Sequence, residues 1–228
     1  RGVTHTVATS DGELFDQPDT LTSGEQGRLY RLERKAARQK VRGRPASNRL
    51  KRTYRQIGQL RARQARRRYD WAHQTTVRLV GGGVGTLALE ALSVKGMTAS
   101  ARGTIDQPGT NVAQKAGLNR SIFDQGWRQI ERLLTYKAQA AGAQVVQVTA
   151  TYSSQECHRC GSSHPEQRES QARFRCVACR WEGNADINAA RVIAKRGREA
   201  ASQDVEPIAI RRASKRQPTA ESVHALAA

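Results

Sequence analysis

The chain has no run of eighteen apolar residues, so no segment of it reads as a membrane-spanning helix. No signal peptide is visible, and the first residue is Arg1 rather than Met. Cysteine is scarce: there are four in 228 residues, all between positions 157 and 179. Acidic residues are nearly missing from one long stretch. Between Arg28 and Arg68 a single acid, Glu33, stands among 17 lysines and arginines, so this stretch carries +16 of the formal net charge of +19. Charge held so densely repels itself, and a phosphate backbone is its natural counter-charge. A solvated, solubilising face is the plain alternative.

What is present is ordered by those four cysteines. Cys157, Cys160, Cys176 and Cys179 fall as Cys-x2-Cys, fifteen residues, Cys-x2-Cys. Two such knuckles place four thiolates at the corners of a tetrahedron, the geometry of a zinc ribbon. Four thiolates leave no open position, so one zinc here is structural rather than catalytic. The spacing suits metal ligation in a reducing cytosol better than two disulfides, which remain the other use of four cysteines. His158 and His164 are substitute ligands in reach of the same segment, or else face solvent or nucleic acid. Phe174 and Trp181 flank the second knuckle and are expected to cover it.

The rest of the chain reads as a mixed α/β architecture. Residues 3–15 form a hairpin around Asp11-Gly12. The basic stretch is two helices broken near Gly43-Arg44-Pro45, with apolar stripes at Leu29, Leu32, Ala36 and at Leu50, Tyr54, Ile57, Ala65. Tyr54, Tyr69 and Trp71 can stack on bases, but their helical positions suit core packing. Thr86–Leu92 reads as a buried central strand with Glu90 near its C-terminal end. Ser93–Gly117 has no clear period and reads as a long loop. A helix is expected from a hydroxyl cap at Ser121 to Gly142, with Phe123, Trp127, Ile130 and Leu134 on one face. Gln144–Thr149 is the next strand, and Asp186–Lys195 a short helix stopped by Gly197. Residues 198–228 are expected to be disordered.

Glu90 and Asp186 are the candidate catalytic residues. Two-metal nucleases need carboxylates converging from separate elements, because hard oxygens hold Mg2+. Taken singly, a strand-end Glu is a solvated rim residue and a helix-opening Asp an N-cap.

Tyr152-Ser-Ser-Gln-Glu-Cys157-His-Arg-Cys160-Gly161, Phe174-Arg-Cys176-Val-Ala-Cys179 and Ala185-Asp186-Ile-Asn188-Ala-Ala-Arg191 together resemble the C-terminal region of the TnpB (OrfB) proteins of insertion sequences, relatives of type V CRISPR effectors. Leu89-Glu90-Ala-Leu-Ser-Val-Lys95-Gly-Met97 resembles the second RuvC motif of that family. The resemblance implies an RNA-guided DNA endonuclease with an RNase H-like (RuvC) domain and an inserted zinc ribbon. It implies two catalytic Mg2+ ions held by Glu90, Asp186 and a further Asp, with one structural zinc on the four cysteines. The implied partners are guide RNA and target DNA, met through Arg31, Arg34, Lys35, Arg38, Arg42, Lys51, Arg52 and Arg55 by shape and charge. The implied setting is a prokaryotic cytoplasm, at the nucleoid when DNA is bound.

The implied division is a nuclease domain over 1–150 with a basic helical segment 28–80, a ribbon over 151–183, a final helix over 184–197 and a tail. Ser93–Gly117 is expected to act as a lid. Two departures stand out. Arg180 follows Cys179 where the family more often has Gly, which is expected to tilt the knuckle without abolishing zinc binding. Arg1-Gly2-Val3 matches only the end of the family's Asp-x-Gly-Val strand, which puts the first acid just ahead of Arg1. A truncated C-terminal portion, inactive alone, is therefore expected. The competing readings are an RNA-guided DNA-binding regulator without cleavage and a generic zinc-ribbon nucleic-acid binder.

Overall fold

A computed structural model describes residues 5–170 and 172–202. Val3, the Arg1-Gly2-Val3 match and residues 203–228 of the expected tail lie outside the described residues. The chain begins with an antiparallel hairpin, β1 (Val7–Ala8) and β2 (Leu14–Phe15), turning at Asp11-Gly12 as its sequence requires, with Gly12 at φ +99°. Two basic helices follow, α1 (Ser23–Gln39) and α2 (Asn48–Gly81). Leu29 and Leu32 of α1 close on Leu60 of α2 and on Leu21, with Ile57 at the margin. The apolar stripe is narrower than its periodicity suggests. Leu50 is buried, whereas Ala65 and Tyr54 are exposed.

Helix α1 is started by a capping box. The Thr22 hydroxyl accepts from the Glu25 N–H, and the Glu25 carboxylate accepts from the Thr22 N–H. The same carboxylate takes Arg67 at 2.6 Å and Arg63 at 2.5 Å, which fastens α1 to α2. The hydrogen bond from Arg67, then the Thr22 N–H, then Arg63 pull the Glu25 carboxyl down to about 2. Because the folded value lies below the ordinary 4.5, this contribution to stability is whole above that pH. It is lost as pH falls through about 2. Glu25→Gln is expected to lower stability at neutral pH, with the gap to wild type closing over that acid window. Denaturant midpoints measured at several pH values check this. A gap that stays constant down to the lower limit removes the carboxylate from the account.

Beyond α2 the chain forms β3 (Thr86–Ala91), a short helix α3 (Val94–Met97), helices α4 (Val112–Gln125) and α5 (Trp127–Ala140), and β4 (Gln144–Thr149). Strands β3 and β4 pair in parallel, with Thr86 opposite Gln144 and Glu90 opposite Val148. Helix α5 packs on α2 and carries the main core: Ile130, Leu133 and Leu134 meet Val7 and Ala72, with Trp71 and Leu89 packed against them. The Lys137 ammonium is drawn into this contact, donating to the His73 carbonyl and the Thr76 hydroxyl, both at 2.7 Å.

Three expectations are corrected here. Ser93–Gly117 is not one irregular loop: α3 occupies part of it and α4 begins at Val112. Ser121 caps nothing, since it lies inside α4 with its hydroxyl donating to the Gly117 carbonyl. The cap position belongs to Asn111, in the left-handed region with no side-chain cap bond, so the usual start signal is missing. Nor is the helix continuous to Gly142. Gly126, at φ +65°, ends α4 and starts α5, and Phe123 on the far side of that break is exposed while Trp127 is buried.

The last part is a small module: a 3-10 turn (Pro165–Gln167), the antiparallel pair β5 (Arg173–Arg175) and β6 (Glu182–Asn184), and helix α6 (Ala185–Ser202). Gly197 does not stop α6. A Cβ there would lie 2.3 Å from the Ala88 Cβ, so glycine lets the helix approach β3 closely. Among the described residues the strands form three separate two-stranded sheets, and β3 is half-buried rather than a fully buried central strand. The architecture is mixed α/β.

Candidate metal centre and carboxylate cleft

The four cysteine sulfurs lie within 4.8 Å of one another. Cys157 and Cys179 are 3.8 Å apart and Cys160 and Cys176 3.5 Å apart. Thiolates about 2.3 Å from a tetrahedral zinc stand roughly 3.8 Å apart, so the cluster has the size of such a site. Burial pushes the Cys157 thiol up to about 12. At Cys176 burial acts the same way, but the N–H groups of Cys179 and Ala178 outweigh it and bring the thiol down to about 7. Such donors suit a soft or borderline cation that displaces thiol protons.

The two knuckles are built alike. The Gly161 N–H donates to the Cys157 carbonyl at 2.8 Å, and the Arg180 N–H to the Cys176 carbonyl at 3.0 Å. Gly161 has φ +75° and Arg180 φ +59°. Arg180 thus adopts the left-handed turn that glycine adopts in the first knuckle, at a cost of about 1–2 kcal/mol. Phe174 is fully buried beneath the cluster, with Trp181 packed against it at 5.9 Å between ring centroids. Neither histidine is a member of the cluster. His164 caps the 3-10 turn. His158 is half-buried, in T-shaped contact with Trp181 and 3.0 Å from the Asn188 side-chain oxygen, whereas His164 is exposed.

Asn188, fully buried on α6, fixes this module to the helix. Its amide donates to the Glu156 carbonyl at 2.7 Å, and its oxygen accepts the His158 N–H at 3.1 Å. Arg196 adds a second tie, reaching the Thr149 and Thr151 carbonyls and the Glu156 carboxylate.

Glu90 and Asp186 both line one cleft of about 580 Å³ between β3, the hairpin turn and α6. Asp186 is not the N-cap. The Asn184 side chain caps α6, accepting from the Asp186 and Ile187 N–H groups at 2.9 and 3.1 Å. The Asp186 carboxylate is thereby left for another use, and it accepts from the Arg168 guanidinium at 3.1 Å, with both side chains largely buried. Arg168 and Asp11, which lines the same cleft, were not legible as site residues. One lay among many arginines, and the other had a sufficient role as a turn residue.

The eight basic candidates, Arg31, Arg34, Lys35, Arg38, Arg42, Lys51, Arg52 and Arg55, are all exposed. None forms an ion pair with a described residue. The acids near the helix pair serve Arg61, Arg63, Arg67 and Arg68 instead, all in the later part of α2.

A four-cysteine module seated on an acid-lined α/β cleft places the chain in a class for which likenesses are found in sequence and in structure. The family described as "Cas12f1-like, TNB domain" matches residues 127–193. The putative RNA-guided DNA endonuclease InsQ of Escherichia coli (strain K12) is 39% identical over 196 residues, 86% of this chain and 47% of that protein. The CRISPR-associated endodeoxyribonuclease Cas12f1 of Sulfoacidibacillus thermotolerans is 43% identical over 76 residues, 32% of this chain and 18% of that protein. A solved Cas12f1–sgRNA–target DNA complex shares the fold at a TM-score of 0.51 and 16% identity, over 79% of this chain and 43% of that one. The chain is a homologue of the TnpB-type protein InsQ and of Cas12f, as its motifs led one to expect. It spans about half the length of InsQ.

Proposed function

We propose that the chain forms the RuvC-like, RNase H-like nuclease part of an RNA-guided DNA endonuclease. Residues 1–150 with the helix 184–197 supply the nuclease domain and 151–183 a ribbon built on one structural zinc. The observation that carries this reading is the meeting of Glu90 and Asp186 in one cleft, closed by Arg168 from the cysteine module. Its carboxylate oxygens suit Mg2+ and not a thiophilic ion. Bound there, two Mg2+ ions supply an activated water and a counter-charge for the leaving oxygen.

The chain's own residues do the rest. Asn184 holds the start of α6 so that Asp186 faces the cleft, and β3 fixes Glu90 across from it. Arg168 is placed to exchange its bond with Asp186 for a phosphate oxygen of the strand. The eight exposed basic residues near the α1–α2 connection are free of internal acids to follow the phosphates of guide RNA or its duplex with DNA.

The test is Mg2+-dependent cleavage of a matched duplex by an RNA-loaded protein of the full length of its relatives, carrying this chain as its C-terminal portion. Glu90→Gln is expected to bind RNA as the wild type does and to lose cleavage. A variant that cuts at the wild-type rate refutes the assignment. Guided DNA binding by a wild type that never cuts transfers the case to the regulator reading.

A further inference from the structure

Tyr69 was read from its spacing as a packing residue, yet the structure leaves its side chain in the open. Tyr69 is 39% exposed, whereas Trp71, two residues on, packs into the main core. Tyr69 forms one wall of a shallow notch of about 590 Å³ between α2 and α5. Ala65, Arg66 and His73 continue that wall along a single face of α2, and Gln129 of α5 stands opposite. The His73 ring lies edge-on to Tyr69, with centroids 4.5 Å apart and planes at 73°. A contact of that kind steadies the phenol ring and covers at most one of its two faces.

The groups around the notch are unspent. Arg66, the His73 ring nitrogens and the Gln129 amide make no hydrogen bond or ion pair with a described residue. Their neighbours are committed, Arg67 to Glu25 and Arg68 to Asp124; Asp70 also lines the notch, with one carboxylate oxygen accepting from the Gln74 amide, and Arg66 beside it supplies the opposite charge. The walls are also held in place, since the His73 carbonyl accepts from the half-buried Lys137 ammonium of α5. Arg132, one turn beyond Gln129, adds a second exposed cation on the α5 side.

We propose that this notch binds one unstacked nucleobase of a single-stranded nucleic acid. The Tyr69 ring stacks on the base, the Gln129 amide meets its hydrogen-bonding edge, and Arg66 takes the adjoining phosphate. A tyrosine face accepts any base, because every base has a π-face, while an amide offers both a donor and an acceptor to its edge. The notch shares no lining residue with the carboxylate cleft. It rests on the nucleic-acid reading above and adds to it a grip on bases, where the basic helices grip only phosphates.

The experiment uses the 228-residue, zinc-loaded chain and short single strands of RNA or DNA carrying one 2-aminopurine. Tyr69→Ala is expected to raise Kd roughly 5- to 150-fold, the range for losing one stacked base. It should also abolish the fluorescence change of the probe while leaving the slope of log K against log salt unchanged, because no phosphate contact is removed. Tyr69→Phe is expected to bind as the wild type does. Equal loss with both strands assigns the contact to the base, and greater loss with RNA adds the ribose to it. Wild-type binding and quenching by Tyr69→Ala overturns the proposal and leaves the nuclease reading intact. A loss in Tyr69→Phe equal to that in Tyr69→Ala also overturns it, since the hydroxyl and not the ring face then carries the effect. If the wild type binds no single strand at all, the proposal and the basic-helix reading fall together.

Discussion

Removing the metal from the four cysteines is expected to unfold the segment from about Thr151 to Asn184 while α1, α2 and α5 stay folded. The segment has few buried apolar groups of its own: Phe174, with Ala185 and the edge of Trp181, beneath the sulfurs themselves. Its regular structure is one three-residue strand pair and a 3-10 turn. That is too little to offset the entropy of ordering some thirty residues, at about 1–2 kcal/mol each for the backbone. A structural zinc supplies about 10–16 kcal/mol in apparent terms. Purified protein should hold one zinc per chain, and chelation or Cys157→Ser should erase hydrogen-exchange protection at Phe174 and Cys176. The main core, centred on Ile130 and Leu133, is separate and should keep its protection. Full protection of Phe174 in metal-free protein would show that the module stands by packing alone.

Asp186→Asn is expected to abolish guided cleavage without harm to the helix that carries it. The residue opens α6, so a loss of activity would ordinarily be blamed on a frayed helix end. The structure removes that ambiguity, because the capping bonds are made by Asn184. Asparagine keeps the size of the side chain and an oxygen for Arg168 to donate to, and loses only the charge. Outer-shell partners of a metal alone cost 10–100-fold when mutated, so a direct ligand should cost at least about 100-fold in rate. Single-turnover cleavage by the full-length protein with saturating RNA reads this directly, and RNA affinity should be unchanged. Wild-type cutting by the variant would exclude Asp186 from the chemistry.

Much of this was visible in residue order, for physical reasons. Metal-ligand spacing is local, so Cys157 to Cys179 announce their cluster without any knowledge of the fold. The long helices are equally local: glycine and proline at 43–45 lie in the break between them, after α1 has stopped at Gln39, and Ser47 caps the next. Glu90 and Asp186 were found through motifs, and only the fold brings them to one cleft. What escaped was set by tertiary contact. Arg168 is one arginine among many until the 3-10 turn before it and its bridge to Phe174 of β5 bring it to Asp186. Asn188 looks like any helical polar residue until the cysteine module closes over it. The break at Gly126 competed with an apolar pattern that runs through it, and α4 begins at an asparagine whose backbone, not its side chain, makes the start. Of the aromatic residues of α2, Trp71 packs against the main core as its position suggests, while Tyr54 and Tyr69 are exposed, because periodicity reports the face of a helix but not what covers it.

The close approach of α6 to β3 has an evolutionary consequence. Ala88 lies two residues before Glu90, on the same face of β3, and Gly197 lies eleven residues after Asp186 on α6. With a Cβ at 197 only 2.3 Å from that of Ala88, the two positions hold the smallest side chains available and touch. Neither can drift to a larger residue alone, and only glycine at 88 makes room for alanine at 197, whose Cβ would then lie 3.4 Å from the Cα of residue 88. In descendants of this sequence the pair should therefore change together or not at all. The distance between the strand bearing one acid and the helix bearing the other is inherited through two residues that do no chemistry.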